Sequence, residues 1–205
     1  MAHTAAMQSE DVMAPPRARA AGAGVYSEKL GMWVFLGSEV MFFTGLIGSY
    51  VILRFAHPDS WKPPGHVLNI PVTAVNTFLL ICSSVTMVKA FAAAQDGIQR
   101  ALRLWLVATV LIGASFVGVQ VYEYTHLIEK GFVPSEGLYG STFYTMTGFH
   151  GFHVTMGVIC MIYVTWRAFR GKYTKEDHRG VEVIGLYWHF VDLVWIILFT
   201  IVYLI

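Results

Sequence analysis

Five long apolar runs separated by short polar connections make up most of the chain after a polar beginning. They cover Gly31–Leu53, Pro71–Ala93, Leu102–Tyr122, Tyr139–Trp166 and Ile184–Ile205. A helix rises 1.5 Å per residue, so roughly 17 residues or more are needed to cross a hydrocarbon core of about 30 Å, and every run meets that length. The pattern predicts an all-α polytopic membrane bundle of five transmembrane helices.

The connections carry turn chemistry. The first holds Pro58, Pro63, Pro64 and Gly65, the second Asp96-Gly97, and the third, Thr125 to Leu138, Gly131, Pro134 and Gly137. Pro71 suits the first turn of its helix, where no amide hydrogen bond is lost. The fourth connection, Arg167 to Val183, is the most charged stretch of the chain. Met1 to Val25 is rich in Ala, Gly and Pro and lacks the apolar centre of a secretory signal. Residues 1–28 are therefore expected to be a flexible tail, and 29–205 a single membrane domain.

Composition agrees with this division. Of the 205 residues, 56% are hydrophobic and 13% charged, about half the charged share of a soluble domain. The net charge of +1 argues against nucleic acid as a partner. Cys82 and Cys160 fall inside apolar runs and read as small hydrophobes, with no disulfide expected. Eleven of the 14 Lys and Arg residues lie on the side of the N-terminus; only Arg54, Lys62 and Lys130 lie on the other. That bias predicts an N-terminus inside and a C-terminus outside. Trp33, Trp105, Trp166 and Trp188 fall near the inner ends of spans and are expected in the headgroup belt.

Candidate chemistry lies in the few ionisable groups set deep in the spans. Glu39 and Asp192 are each the ninth residue of a span running in the same direction, and so reach one depth. His189 lies one turn before Asp192, and His150 and His153 one turn apart in the fourth span. Depth counting predicts a shared buried polar network of Glu39, His150, His153, His189 and Asp192. Glu39, set in S-E-V-M-F-F among large apolar residues, is expected to be neutral and to hydrogen-bond without charge. A secondary polar face on the third helix comprises Gln120 and Glu123, in line with Gly113 and Phe116. Thr147, Gly151 and Thr155 on the fourth helix, and Gly45 and Ser49 on the first, are small-residue ridges suited to close helix packing.

Two other architectures fit the sequence poorly. A four-helix di-iron site needs two Glu-x-x-His motifs, which this sequence does not contain. A free-standing transporter or channel predicts helices broken near the midplane, whereas none of the five spans has an internal proline. Helix-to-helix hydrogen bonding is the plain account of the buried polar residues, and no metal is expected in this chain.

Four segments carry a family resemblance: S-E-V-M-F-F-T-G at Ser38–Gly45, V-Q-V-Y-E-Y at Val119–Tyr124, G-S-T-F-Y-T-M-T-G-F-H-G-F-H-V-T-M-G at Gly140–Gly157, and Y-W-H-F-V-D-L-V-W at Tyr187–Trp195. With these, the chain resembles subunit III of the haem-copper respiratory oxidases, in the short five-helix bacterial form, from Lys29 to Ile205. The resemblance implies a non-catalytic subunit of cytochrome c oxidase in the bacterial cytoplasmic membrane. Such a subunit has no cofactor of its own and packs on subunit I beside subunit II. Haem and copper then belong to those partner subunits, and phospholipid binds in a cleft of this one. It also implies support of assembly and sustained proton uptake in a complex that reduces oxygen and pumps protons. Glu39, the pair His150 and His153, and His189 with Asp192 stand at the family's motif positions. Longer members carry two further N-terminal helices that wall the cleft, and this sequence lacks them. Subunit III of a quinol oxidase is the near alternative, since the donor, cytochrome c or quinol, is chosen by subunit II.

Overall fold

A computed structural model of the chain describes residues 26–61 and 68–204. The five predicted spans are helices: α1 Ser27–Ala56, α2 Ile70–Gln95, α3 Gln99–Glu129, α4 Leu138–Phe169 and α5 Arg179–Phe199, which continues as a π-helical turn over Thr200–Leu204. All five are long and apolar enough to cross a membrane, and no strand occurs among the described residues. Helices begin earlier or end later than the apolar runs, because backbone hydrogen bonding continues into the headgroup zone where side chains turn polar. Ser27 and Glu28, expected in the tail, already belong to α1, and His126 and Glu129, expected in a loop, lie on the last turns of α3. The rest of the expected tail, residues 1–25, lies outside the described residues.

Three helices stop by one device. Gly97, Gly131 and Gly171 have φ of 76°, 80° and 67°, and the amide just beyond each returns to a carbonyl five residues back: Ile98 to Ala93, Phe132 to Leu127 and Lys172 to Arg167. A left-handed residue is needed there, which explains the glycine in each connection. Pro71 sits in the first turn of α2, as expected.

Packing centres on the last helix. α5 is flanked by α1, α2 and α4, while α3 closes the far side against α2 and α4. Within the most apolar stretch of each helix, 56% of positions are buried in α5 but only 11% in α1, so α1 leans on the edge of the bundle. The amphipathicity of α2 is inverted relative to a soluble helix. Thr73, Thr77, Ser83, Met87 and Ala90 face inward, and Val75, Phe78, Val85 and Val88 face outward. With lipid as solvent, outward apolar residues cost nothing, and small or hydroxylated residues let helices approach and bond.

The core is built on two tryptophans of α5. Trp188 donates its indole N–H to Ser83 Oγ, and Trp195 to Thr77 Oγ1, both at 2.9 Å. Trp188 is 1% exposed and therefore does not join the headgroup belt as expected; its ring fills the space left by Gly113 and Gly157. Trp33 and Trp166 are exposed as a belt requires. The Gly45–Ser49 ridge also departs from expectation. Both residues face outward, nothing stands within 4 Å of a Cβ built on Gly45, and Ser49 bonds back to the Gly45 carbonyl.

Candidate functional site

The buried polar residues form separate groups around α5. Between α1 and α4, Glu39 Oε2 lies 3.1 Å from His153 Nε2, with the two side chains 17% and 12% exposed. His153 Nδ1 is 2.7 Å from the Phe149 carbonyl, which can only accept, so Nδ1 carries a hydrogen. Nε2 then faces a carboxyl oxygen, and two bare acceptors at that distance would repel. One proton must lie between them, held as an imidazolium facing a carboxylate or as a carboxylic acid donating to a neutral ring. Phe43 packs edge-on against the imidazole, and the Tyr187 hydroxyl donates to the His153 carbonyl at 2.9 Å, tying α5 to this pair.

His189 and Asp192 lie on the other side of α5. His189 is two residues beyond Tyr187, about 200° around the helix. Both reach Ser84 of α2: its hydroxyl donates to Asp192 Oδ2 at 2.6 Å, and His189 Nδ1 lies 3.2 Å from Ser84 Oγ. The single network expected from depth counting is thus divided. Glu39 and Asp192 share a level along the sequence, but α5 stands between them, and among the described residues no hydrogen bond joins the two groups. Depth is a one-dimensional coordinate, and the angle around α5 separates them.

His150 belongs to neither group. Its ring is fully buried, stacked on Trp195 at 4.8 Å and met edge-on by Phe43 and Phe116, and neither ring nitrogen has a protein partner. The spacing of His150 and His153 put them on one face, yet that face straddles an interface: His153 turns to α1 and His150 into the core.

The secondary face of α3 is fully inward. Gln120 donates to the Thr147 carbonyl at 2.9 Å. Thr147 gives its own hydroxyl hydrogen to Phe143, so Tyr124 is the donor in its 2.6 Å bond to Thr147 Oγ1. Gly151 makes room for the Gln120 amide, which would stand 2.7 Å from a Cβ at that position. Glu123 turns away from His126 and Glu129 and into the bundle. There Thr73 and Tyr203 approach its Oε1 at 2.9 and 3.2 Å, linking α2, α3 and the π-helical turn.

At the end of the bundle where α5 begins, α1, α4 and α5 enclose an open cavity of about 620 Å³. Met32, Ile159, Cys160, Val164 and Ile184 give it an apolar body; Arg167, Arg179, Glu28, Asp177, Tyr163 and Tyr173 line its polar part. Ion pairs brace the same end. Lys29 Nζ is 2.6 Å from Glu182, the Tyr26 hydroxyl donates to Glu182 at 2.7 Å, and Arg179 donates to Asp177 at 3.0 Å while lying 3.8 Å from Glu28. Burial, reinforced by the bond to Glu182, pushes the Tyr26 phenol well above its ordinary range. Asp177 goes the other way, held below the usual carboxylate range chiefly by the Arg179 hydrogen bond.

Several of these partners were not found by reading the sequence: Ser84, Thr73, Tyr203 and Glu182. The hydroxyl residues inside spans were a usable signal, since a polar group in lipid must find an internal partner.

Comparison with known proteins places this arrangement. The family model described as cytochrome c oxidase subunit III matches residues 11–205. A cytochrome c oxidase subunit 3 of Corynebacterium diphtheriae is 40% identical over 204 residues, covering 98% of this chain and 99% of that protein. One from Thermostichus vulcanus is 42% identical over 176 residues, 85% of this chain and 86% of its own. A probable cytochrome c oxidase subunit 3 of Mycobacterium tuberculosis is 43% identical over 176 residues, 86% of this chain and 87% of its own. With matches of this extent running through all five helices, the chain belongs to the cytochrome c oxidase subunit III family.

Proposed function

We propose that this chain is the non-catalytic subunit III of a proton-pumping cytochrome c oxidase in a bacterial cytoplasmic membrane, with its N-terminus inside. In this reading it packs against subunit I beside subunit II, which carry haem and copper. It supports assembly and sustained proton uptake without holding a redox centre. The observation that carries the reading is full-length similarity to proteins named cytochrome c oxidase subunit 3, on a bundle whose lightly buried α1 leaves much apolar helix surface outward.

The cavity between α1, α4 and α5 is the proposed phospholipid site. Its apolar body suits an acyl chain, and Arg167 suits a phosphate, while Arg179 on the same wall is engaged by Asp177 and Glu28. Proteins named for cytochrome c oxidase favour cytochrome c over quinol as the electron donor to the complex.

Purification through a tag on this chain tests the reading. A haem-containing complex that consumes oxygen with reduced cytochrome c is the expected result. A complex active only with quinol makes it the quinol-oxidase subunit. A monodisperse protein recovered free of haem-containing partners overturns the subunit assignment.

A further inference from the structure

The group formed by Ser84, His189 and Asp192 has a property that the Glu39–His153 pair lacks. Ser84 has one hydroxyl hydrogen, and at 2.6 Å it is committed to the Asp192 carboxylate. The Ser84 oxygen is then an acceptor for His189, so the imidazole hydrogen is on Nδ1 and Nε2 is bare. Reversing every bond leaves each contact equally satisfied: Asp192 as the acid donates to Ser84, Ser84 donates to Nδ1, and Nε2 carries the hydrogen. His153 has no such freedom, because its Nδ1 faces the Phe149 carbonyl, which cannot give a proton.

We propose that Ser84, His189 and Asp192 form a proton-binding site inside the membrane, loaded through His189 and storing the proton on Asp192. A hydronium ion brought to the half-buried face of α5 gives its proton to His189 Nε2. The Nδ1 hydrogen passes to Ser84 Oγ, and the original Ser84 hydrogen passes to Asp192 Oδ2. Three N–H or O–H bonds form and two break within the chain, the hydronium ion becomes water, and the carboxylate becomes a neutral acid. No electron moves.

Two independent features fit storage at Asp192. The residue is only 6% exposed, and its other oxygen, Oδ1, is buried without a partner, so the charged form lacks the second bond that would hold it. His189 is half-buried and is the end of the hydrogen-bonded chain that reaches the surface of the bundle, whereas Asp192 is enclosed. The titratable groups on neighbouring helices are engaged elsewhere. Lys89 of α2 lies 4.5 Å over the Trp105 ring, Glu39 of α1 is paired with His153 of α4, and His150 is stacked on Trp195.

Infrared difference spectroscopy on the tag-purified complex, between alkaline and acidic buffer, tests the site. A carboxylic-acid C=O band that grows on acidification and disappears in Asp192→Asn is expected. After a rapid pH drop its rise slows about tenfold or more in Ser84→Ala and His189→Phe, and recovers in Ser84→Thr, which restores the hydroxyl. Identical wild-type and Asp192→Asn spectra overturn the proposal, as does a band that ignores pH or a rise in Ser84→Ala as fast as in the wild type. Should Asp192→Asn fail to assemble, ¹³C-labelled aspartate identifies the band as an aspartic acid, and the comparison of Ser84→Ala with Ser84→Thr decides.

Discussion

Replacing Glu39 by alanine removes one of the side-chain links that hold α1 to the rest of the bundle. Its partner His153 keeps Nδ1 on the Phe149 carbonyl, so the ring cannot turn without losing that bond, and Nε2 is left facing a gap. Interhelical hydrogen bonds in membrane bundles average about 0.6 kcal/mol and reach about 1.7. At a factor of ten per 1.4 kcal/mol, that range corresponds to roughly 3- to 16-fold in the docking equilibrium of α1. The loss is large for this helix because little else fastens it: Lys29 and Tyr26 on Glu182 and Glu28 near Arg179 at one end, and contacts that bury only 11% of its apolar stretch. Glu39→Gln should behave differently. An amide N–H can donate to Nε2 of a neutral His153, so the bond survives without the shared proton. Protease accessibility of α1 in detergent, measured on purified complex together with complex yield, separates the two: Ala should open α1 by the stated factor, and Gln by less than about half of it on a free-energy scale. Equal opening in both variants would refute the neutral-bond argument and make charge at Glu39 the quantity that matters.

Other variants probe the remaining contacts. Gly113→Ala places a Cβ 2.6 Å from Trp188, whose ring is fixed by Ser83; overpacking should cost about 1–3 kcal/mol, and Trp188→Phe should relieve part of it in a double-mutant cycle read by thermal denaturation in detergent. Tyr203→Phe removes one donor to Glu123 while Thr73 remains, a loss of about 0.6 kcal/mol that Thr73→Val should deepen, as followed by the same denaturation. The depressed Asp177 carboxyl adds stability that is complete above about pH 4 and lost as the pH falls through its lower folded value. Because Arg179 and Asp177 are 43% and 59% exposed, water and salt screen the pair, so hydrogen exchange near them should quicken only slightly on acidification, and Arg179→Gln should abolish that change.

Most of the fold was legible because lipid imposes a coarse rule. Runs of spanning length must be helices, since no other backbone satisfies its own polar groups there. Inward positions on α3 were equally legible: Gly113, Phe116, Gln120 and Glu123 recur at helical spacing, and all four are buried. Trp188 was misplaced because closeness to a helix end suggests the interface, while the small residues that receive it, Gly113 and Gly157, lie on other helices. Gly45 and Ser49 were misplaced because a small-residue ridge does not say which side of its helix has a neighbour.

The sequence by itself determined five spanning helices, where they turn, the burial of Gln120, Glu123, His150 and Asp192, and the family to which the motifs belong. These follow from local quantities: run length, periodicity and glycine placement. Tertiary structure alone decided the pairings. It set Glu39 with His153 and His189 and Asp192 with Ser84, and left His150 among aromatic rings. Sequence gives the depth of a residue and its angle on its own helix, whereas a contact also needs the rotation of two helices about their axes, which the packing of the whole bundle sets.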